Sequence, residues 1–183
     1  MLQLLAEIVN IIFLALAALA FAFYALMVLG MFFGAPFVPT SPKTVRDMIE
    51  LSHIQKGELV YDLGSGDGRI LIAAARAGAE ARGWEIHPFL VWLTRFKVWW
   101  FKLGLQVQVY TKSYWTVNWK DADVIMVYLI TSRMQEFKEK LLRDARPGVR
   151  VVSHAFKIPG WEPLAIKGDA RLYIVPESNR ISF

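Results

Sequence analysis

Residues 60–70 read Val-Tyr-Asp-Leu-Gly-Ser-Gly-Asp-Gly-Arg-Ile, and no other stretch narrows the possible folds of this chain as much. A β-rich apolar run ends in three glycines at alternate positions and passes directly into the helical composition of Gly68–Ala77. Glycines in such a turn take backbone angles closed to other residues and let a ligand approach the main chain. The helix behind them offers unpaired N–H groups. Glu85 follows at the end of the next apolar run, where a carboxylate can accept both hydroxyls of a ribose. The spacing excludes two common ligands. A nicotinamide fingerprint is G-x-G-x-x-G, whereas this turn is G-x-G-x-G with Arg69 next, and no G-x-x-x-x-G-K-[ST] occurs. Asp62 and Asp67 flank the glycines, which repels a diphosphate but not a cationic amino acid or sulfonium.

The rest of residues 42–183 alternates strand and helix. Strands are expected at Glu58–Leu63, Ala81–Ile86, Leu105–Tyr110, Asp123–Leu129 and Val149–Ser153. Helices are expected at Pro88–Leu103 and Thr131–Ala145, the latter with Met134, Phe137, Leu141 and Leu142 on one side. Pro163–Lys167 and Arg171–Val175 flank Gly168-Asp169-Ala170 and read as a hairpin. This is an α/β pattern: a Rossmann-like, mainly parallel sheet with an antiparallel edge. Cysteine is absent, which excludes thiol nucleophiles, disulfides and Cys-based zinc sites. No His/Asp/Glu cluster has metal spacing.

The N-terminus has another character. Residues 1–33 hold one charge, Glu7, and all 21 Lys and Arg lie beyond them. From Ile11 to Phe33 every residue is apolar, Gly or Tyr. As a helix that run spans about 35 Å, enough for a hydrocarbon core of about 30 Å. A signal peptide fits less well, because no basic segment precedes the run. The expected organisation is a transmembrane anchor at 1–33, a joint or lid at 34–41 and a catalytic domain at 42–183. Lys43, Arg46 and Lys56 follow the span and nothing basic precedes it, so the domain is expected on the cytoplasmic side of a single-pass protein. The joint, Gly34-Ala35-Pro36-Phe37-Val38-Pro39-Thr40, reaches at most about 25 Å when extended. Ser41 and Pro42 read as N-cap and first residue of a helix.

The D-x-G-x-G-x-G turn with its strand-end acid resembles the seven-strand, class I methyltransferases that use S-adenosylmethionine, over about residues 41–176. The resemblance implies that Asp62, Gly64, Ser65, Gly66, Asp67, Gly68 and Arg69 form the turn around the methionine end, and that Glu85 holds the ribose. It places Ile86 and His87 beside the adenine or ribose, and Ser113, Tyr114 and Trp115 beside the adenine. Only Ala155–Glu162 is available for the usual helix between the fifth and sixth strands, so the fold is a trimmed version. The order Phe37-Val38-Pro39-Thr40-Ser41, DLGSGDGRI, Glu85-Ile86-His87-Pro88-Phe89-Leu90-Val91, Tyr114-Trp115, Arg150-Val151-Val152-Ser153, Phe156 and Pro159-Gly160-Trp161-Glu162-Pro163 is similar to a narrower family. These are the membrane-anchored protein-lysine methyltransferases that act on the adenine nucleotide translocase and the ATP synthase c subunit. His87 sits where relatives often have Asn, and the shorter chain looks like a prokaryotic relative.

That resemblance implies methyl transfer from S-adenosylmethionine, with S-adenosylhomocysteine as product, to a protein lysine near the membrane. A lysine of pKa about 10.4 costs roughly 4.6 kcal/mol to deprotonate at pH 7, and a low-dielectric aromatic pocket lowers that cost. Tyr114, Trp115, Tyr128 and Trp161 are the candidate catalytic residues, all at or beyond strand C-termini; core packing is their ordinary alternative. Pro39 and Thr40 are candidates for a lid over the cofactor. His154 is a candidate base, although a strand-end histidine is more often structural. On the Pro88–Leu103 helix, Phe89, Leu93, Phe96, Trp100 and Leu103 are expected against the sheet. Trp92, Arg95, Trp99 and Lys102 form a flank suited to a lipid bilayer, with ordinary packing and a solvated flank as the alternative. Methylation of a lipid headgroup or small molecule, and a non-catalytic cofactor-binding assembly module, remain open alternatives. Scattered Lys and Arg do not indicate nucleic acid.

Overall fold

A computed structural model of the chain describes residues 1–33 and 38–177. The expected joint residues 34–37 and the last residues of the expected domain, 178–183, lie outside the described residues. The chain divides into two compact units, Met1–Phe37 and Val38–Phe183.

The first unit is one helix, α1 (Leu2–Phe33). It begins well before the apolar run Ile11–Phe33, because Leu, Ala, Gln and Glu are all good helix formers and a single carboxylate at Glu7 does not break it. Among the described residues it alone is long and apolar enough to cross a membrane, over Gln3–Ala22.

The second unit opens with α2 (Pro42–Ser52), which starts as its sequence demands: Ser41 Oγ accepts a hydrogen bond from the Thr44 N–H at 3.1 Å, with Pro42 in the first turn. There follow β1 (Leu59–Leu63), α3 (Arg69–Arg76), β2 (Glu80–Glu85), α4 (Pro88–Trp100), β3 (Val107–Thr111), β4 (Val124–Val127), α5 (Met134–Asp144), β5 (Arg150–His154), β6 (Ala165–Lys167) and β7 (Ala170–Ile174). The seven strands form one sheet in the order β3-β2-β1-β4-β5-β7-β6. β1 to β5 run parallel, and β7 is antiparallel to both β5 and β6. No helix separates β5 from β6, as the short Ala155–Glu162 stretch requires.

Period-two alternation in the central strands sorts the core onto two faces. On β4, Val124 and Met126 join the side chains of α2, α3 and α4, while Ile125 and Val127 join those of α5. Met134, Phe137, Leu141 and Leu142 of α5 are buried, as their spacing implies. Three helices therefore cover one face, whereas the other has α5 together with aromatic loop residues such as Trp119.

The expected orientation of α4 fails for its aromatic residues, although Leu103 packs against the core and Leu93 is half-buried. The buried residues of α4 are Leu90, Val91, Thr94 and Val98, while Phe89, Phe96 and Trp100 are exposed. The reason is steric. This helix presses on the glycine turn after β1: a Cβ added to Gly68 would lie 2.4 Å from Thr94 Cγ2. Thr94 fills that contact and leaves no room for a ring there.

Candidate active site

The glycine turn hangs from the C-terminal end of β2. The N–H groups of Gly64 and Ser65 both donate to the Trp84 carbonyl at 3.0 Å. Gly66 N–H donates to Glu85 Oε2 at 3.0 Å, and His87 N–H donates to Glu85 Oε1 at 2.8 Å. Two backbone donors thus fix the Glu85 carboxylate, and each of its oxygens keeps a further lone pair for a ligand hydroxyl. The turn closes through left-handed backbone at Gly64, Gly66 and Gly68, with φ of +84°, +53° and +77°. The close approach of strand and turn also requires Gly83 in β2. A Cβ there would meet Leu71 Cδ1 at 2.5 Å and Ser65 Oγ at 2.7 Å.

Three buried polar atoms at this turn lack a protein partner: Asp62 Oδ2, Ser65 Oγ and His87 Nδ1. Buried polar atoms are nearly always paired, so this cluster marks a place built for something else. Burial, with the neighbouring carboxylates of Glu85 and Asp67, pushes the Asp62 carboxyl up to about 8. Asp67 behaves in the opposite way. Burial would raise it, but hydrogen bonds and charge from Arg69 and Lys97 bring it down to about 2. Arg69 Nε donates to Asp67 Oδ1 at 2.8 Å and Lys97 Nζ to Asp67 Oδ2 at 2.7 Å, so these charges tie the turn to α4.

Thr40 is held down at the same place. Its carbonyl accepts from Arg69 Nη1, and its hydroxyl lies 3.2 Å from His154 Nδ1 at the end of β5. Pro39 beside it is exposed. Burial lowers the His154 pKa, so the ring is neutral at pH 7. Tyr128, after β4, packs on His154 with ring centroids 4.0 Å apart, and Phe156 stacks beyond it at 6.2 Å. Tyr114 borders the glycine turn directly: a Cβ on Gly64 would lie 3.9 Å from Tyr114 Cε1. Burial pushes the Tyr114 hydroxyl up to about 12, so it stays protonated. Trp115 packs against Tyr114 at 4.9 Å, under the Arg133 guanidinium. Ser113 Oγ accepts from the Trp115 N–H, and Ile86 is exposed beside Glu85.

The structure thus gathers Asp62, Gly64–Gly68, Glu85, His87 and Tyr114 around one turn, with Thr40, His154 and Tyr128 as a second connected group. Trp161 packs elsewhere, against Tyr173 at 6.3 Å and the Lys138 ammonium at 5.7 Å. Gly83, Thr94 and Lys97 hold the site and were not singled out by motif. A glycine inside a strand was the available signal for the first. Nothing in the sequence pairs Lys97 with Asp67.

Comparison with known proteins decides the family. Residues 62–165, from Asp62 to the start of β6, match the ANTKMT methyltransferase domain. The chain belongs to the ANTKMT methyltransferase family.

A member named protein-lysine N-methyltransferase, from Saccharolobus islandicus, is 36% identical over 135 residues, covering 70% of this chain and 81% of that protein. The Homo sapiens lysine N-methyltransferase of the ATP synthase c subunit is 33% identical over 73% of this chain, which spans 57% of the human protein's length. The crystal structure of an RNA methyltransferase from Salinibacter ruber, in complex with S-adenosyl-L-homocysteine, superposes with a TM-score of 0.73 at 35% identity, over 77% of this chain and 95% of that one. The cofactor of the ANTKMT methyltransferase domain in this chain is S-adenosylmethionine. The turn fits it chemically. The ligand carries an ammonium and a sulfonium, and the turn offers a buried carboxyl with an unpaired oxygen, a fixed strand-end carboxylate and two further unpaired polar atoms.

Proposed function

We propose that this chain is an S-adenosylmethionine-dependent protein-lysine N-methyltransferase, tethered by α1 to a membrane, acting on a membrane or membrane-proximal protein. The observation that carries this reading is the match, from the glycine turn through β5, to relatives named as lysine N-methyltransferases. Asp62, Ser65 and the backbone of Gly64–Gly68 would hold the methionine end, Glu85 the ribose hydroxyls, and Ile86, His87 and Ser113–Trp115 the adenine side. Asp67 and Arg69 act through the ion pairs that set the turn. Pro39 and Thr40 form the lid, pinned by Arg69 and His154. When bound, the cofactor supplies a methyl group already activated on a sulfonium.

The protein's task is then to position and desolvate an amine. Tyr114 beside the turn, Trp115 packed on it and Tyr128 on His154 supply half-buried aromatic surface, which disfavours the ammonium form and so lowers the roughly 4.6 kcal/mol cost of a neutral lysine at pH 7. Trp161, in the loop after β5 and packed on Tyr173, is proposed as a further substrate-side residue, apart from this wall. His154 is a positioning residue: its Nδ1 is engaged with Thr40 and its ring with Tyr128. The domain is proposed to face the cytoplasm, on the basic residues Lys43, Arg46 and Lys56 that follow the apolar helix.

A second reading, RNA methylation, draws on the description of the Salinibacter ruber relative. One experiment separates these readings from methylation of lipid. Native membranes and total RNA are incubated with the full chain and methyl-tritiated cofactor. Label released by protease as methyl-lysine supports the proposal; label confined to the RNase-sensitive or lipid-extractable fraction refutes it.

A further inference from the structure

The outward face of α4 is a continuous aromatic surface. Trp92, Trp99 and Trp100 are 59%, 70% and 65% exposed, and Phe96 lies between them. The rings pack on one another: Trp92 on Phe96 at 6.0 Å and 15°, Phe96 on Trp99 at 5.9 Å and on Trp100 at 6.2 Å. Beyond the helix, Leu105 projects from its turn with 96% of its surface exposed. Between the end of α4 and the edge strand β3 runs a groove of about 970 Å³, with Trp99, Trp100 and Leu105 as apolar lining and Arg95 and Lys102 as its cations. Soluble domains rarely leave so much contiguous apolar surface without a partner.

Charge identifies the partner. No Asp or Glu occurs from Ile86 to Lys120, a stretch that carries Arg95, Lys102, Lys112 and Lys120 besides Lys97, which is paired with Asp67. Arg76, from α3, lies over the Phe101 ring at 4.5 Å and adds a further cation. Tryptophan beside lysine and arginine, with no acid, is the composition that settles at the headgroup level of an anionic bilayer. The mostly exposed rings at the end of the helix are tilted to one another at 32–40°, and with Leu105 they offer irregular apolar bulk, which suits acyl chains better than flat bases.

We infer that the outward face of α4, with Leu105 and the cations Arg95 and Lys102, docks on the anionic headgroup surface of a phospholipid bilayer. This rests on the membrane-tethered reading above and adds to it a second, peripheral contact made by the methyltransferase domain itself. The aromatic rings enter the interface, Leu105 goes deepest, and the cations meet lipid phosphates.

The chain's composition gives a clean readout, since none of its seven tryptophans lies in residues 1–37. The full chain is reconstituted into phosphatidylcholine vesicles brominated near the top of the acyl chains, with or without phosphatidylglycerol. Quenching is expected up to the share of emission from Trp92, Trp99 and Trp100, and should be stronger with phosphatidylglycerol. Trp92→Phe/Trp99→Phe/Trp100→Phe should abolish it, which assigns the signal. Lys102→Glu/Leu105→Asp, both on exposed side chains, should at least halve it in the otherwise native chain. Absent quenching, or quenching unchanged in either variant, overturns the inference. So does light scattering in detergent that shows a dimer dissolved by Lys102→Glu/Leu105→Asp, or RNA that alters the same emission and competes with vesicles. The two membrane readings fail differently. A chain that leaves the vesicles in alkaline carbonate refutes the tether, whereas a chain that stays with its tryptophans unquenched refutes only the docking.

Discussion

If Asp62 holds the ammonium of the cofactor, as proposed, binding is a proton-linked event, and the consequence is measurable. The Asp62 carboxyl is buried with an unpaired oxygen, and its pKa is pushed to about 8, first by burial and then by Glu85 and Asp67. At pH 7 roughly ten of every eleven molecules carry the proton. A ligand that brings an ammonium to this carboxyl favours the ionised form and expels that proton. If only the ionised form binds, the affinity follows the carboxylate fraction, which is about 1% at pH 6 and about 24% at pH 7.5. S-adenosylhomocysteine should therefore bind about 25-fold more tightly at pH 7.5 than at pH 6, with nearly one proton released per ligand at the lower pH. Calorimetry in buffers of different ionisation enthalpy reads both quantities. Asp62→Asn fixes the site in a neutral state and should flatten the profile. Glu85→Gln removes a neighbouring charge and should move its midpoint to lower pH, whatever it does to the plateau. The linkage has a sign in the free protein as well. A carboxyl whose folded pKa is raised costs stability as pH rises from about 4 to about 8, and Asp62→Asn should remove that loss. Affinity that does not change from pH 6 to pH 7.5, without proton release, would refute the reasoning. So would a pH profile that survives Asp62→Asn.

Three further outcomes follow from the same geometry. Asp67, held at about 2 by Arg69 and Lys97 although burial opposes it, contributes stability present above about pH 4 and lost toward pH 2, by about 2 kcal/mol. Lys97→Met should shrink that acid-dependent part of the urea midpoint. Gly83→Ala forces a methyl into Leu71 and Ser65 and should cost about 1–3 kcal/mol in urea unfolding, where an exposed Gly104→Ala costs little. Tyr114→Ala removes the ring over Gly64 and should weaken S-adenosylhomocysteine about tenfold, whereas Tyr114→Phe should retain affinity, because the ring and not the hydroxyl makes the contact. Isothermal titration distinguishes these two variants.

The strands and helices were legible because each is bounded by a strong local signal. Ser41 and Pro42 set the start of α2, the unbroken apolar run at β4 marks a strand buried on both faces, and Arg146-Pro147-Gly148 stops α5. The glycine spacing and Glu85 placed the candidate site for the same reason: the turn and its acid lie close in sequence, and a parallel sheet brings their strand ends together. The contacts that hold the site are of another kind. Asp67 with Lys97, Thr40 with His154 and Gly68 with Thr94 are each far apart in sequence, and no local periodicity joins them.

The misread face of α4 shows how such a contact overrides a pattern. Both faces of this helix are apolar, so hydrophobic periodicity cannot say which is inside. The choice falls to volume: the turn backbone at Gly68 comes so close that Thr94 fills the contact, and Leu90, Val91 and Val98 are the other buried residues of the helix. Thr94 then donates a hydrogen bond to the Gly66 carbonyl, and Lys97 reaches Asp67, so the side that packs is also the side that shapes the turn. With that side packed on the turn, Phe89, Trp92, Phe96, Trp99 and Trp100 are left exposed. The exposed aromatic surface is thus the reverse side of the contact that shapes the turn, and the acid-free stretch from Ile86 to Lys120 is what favours an anionic bilayer as its partner.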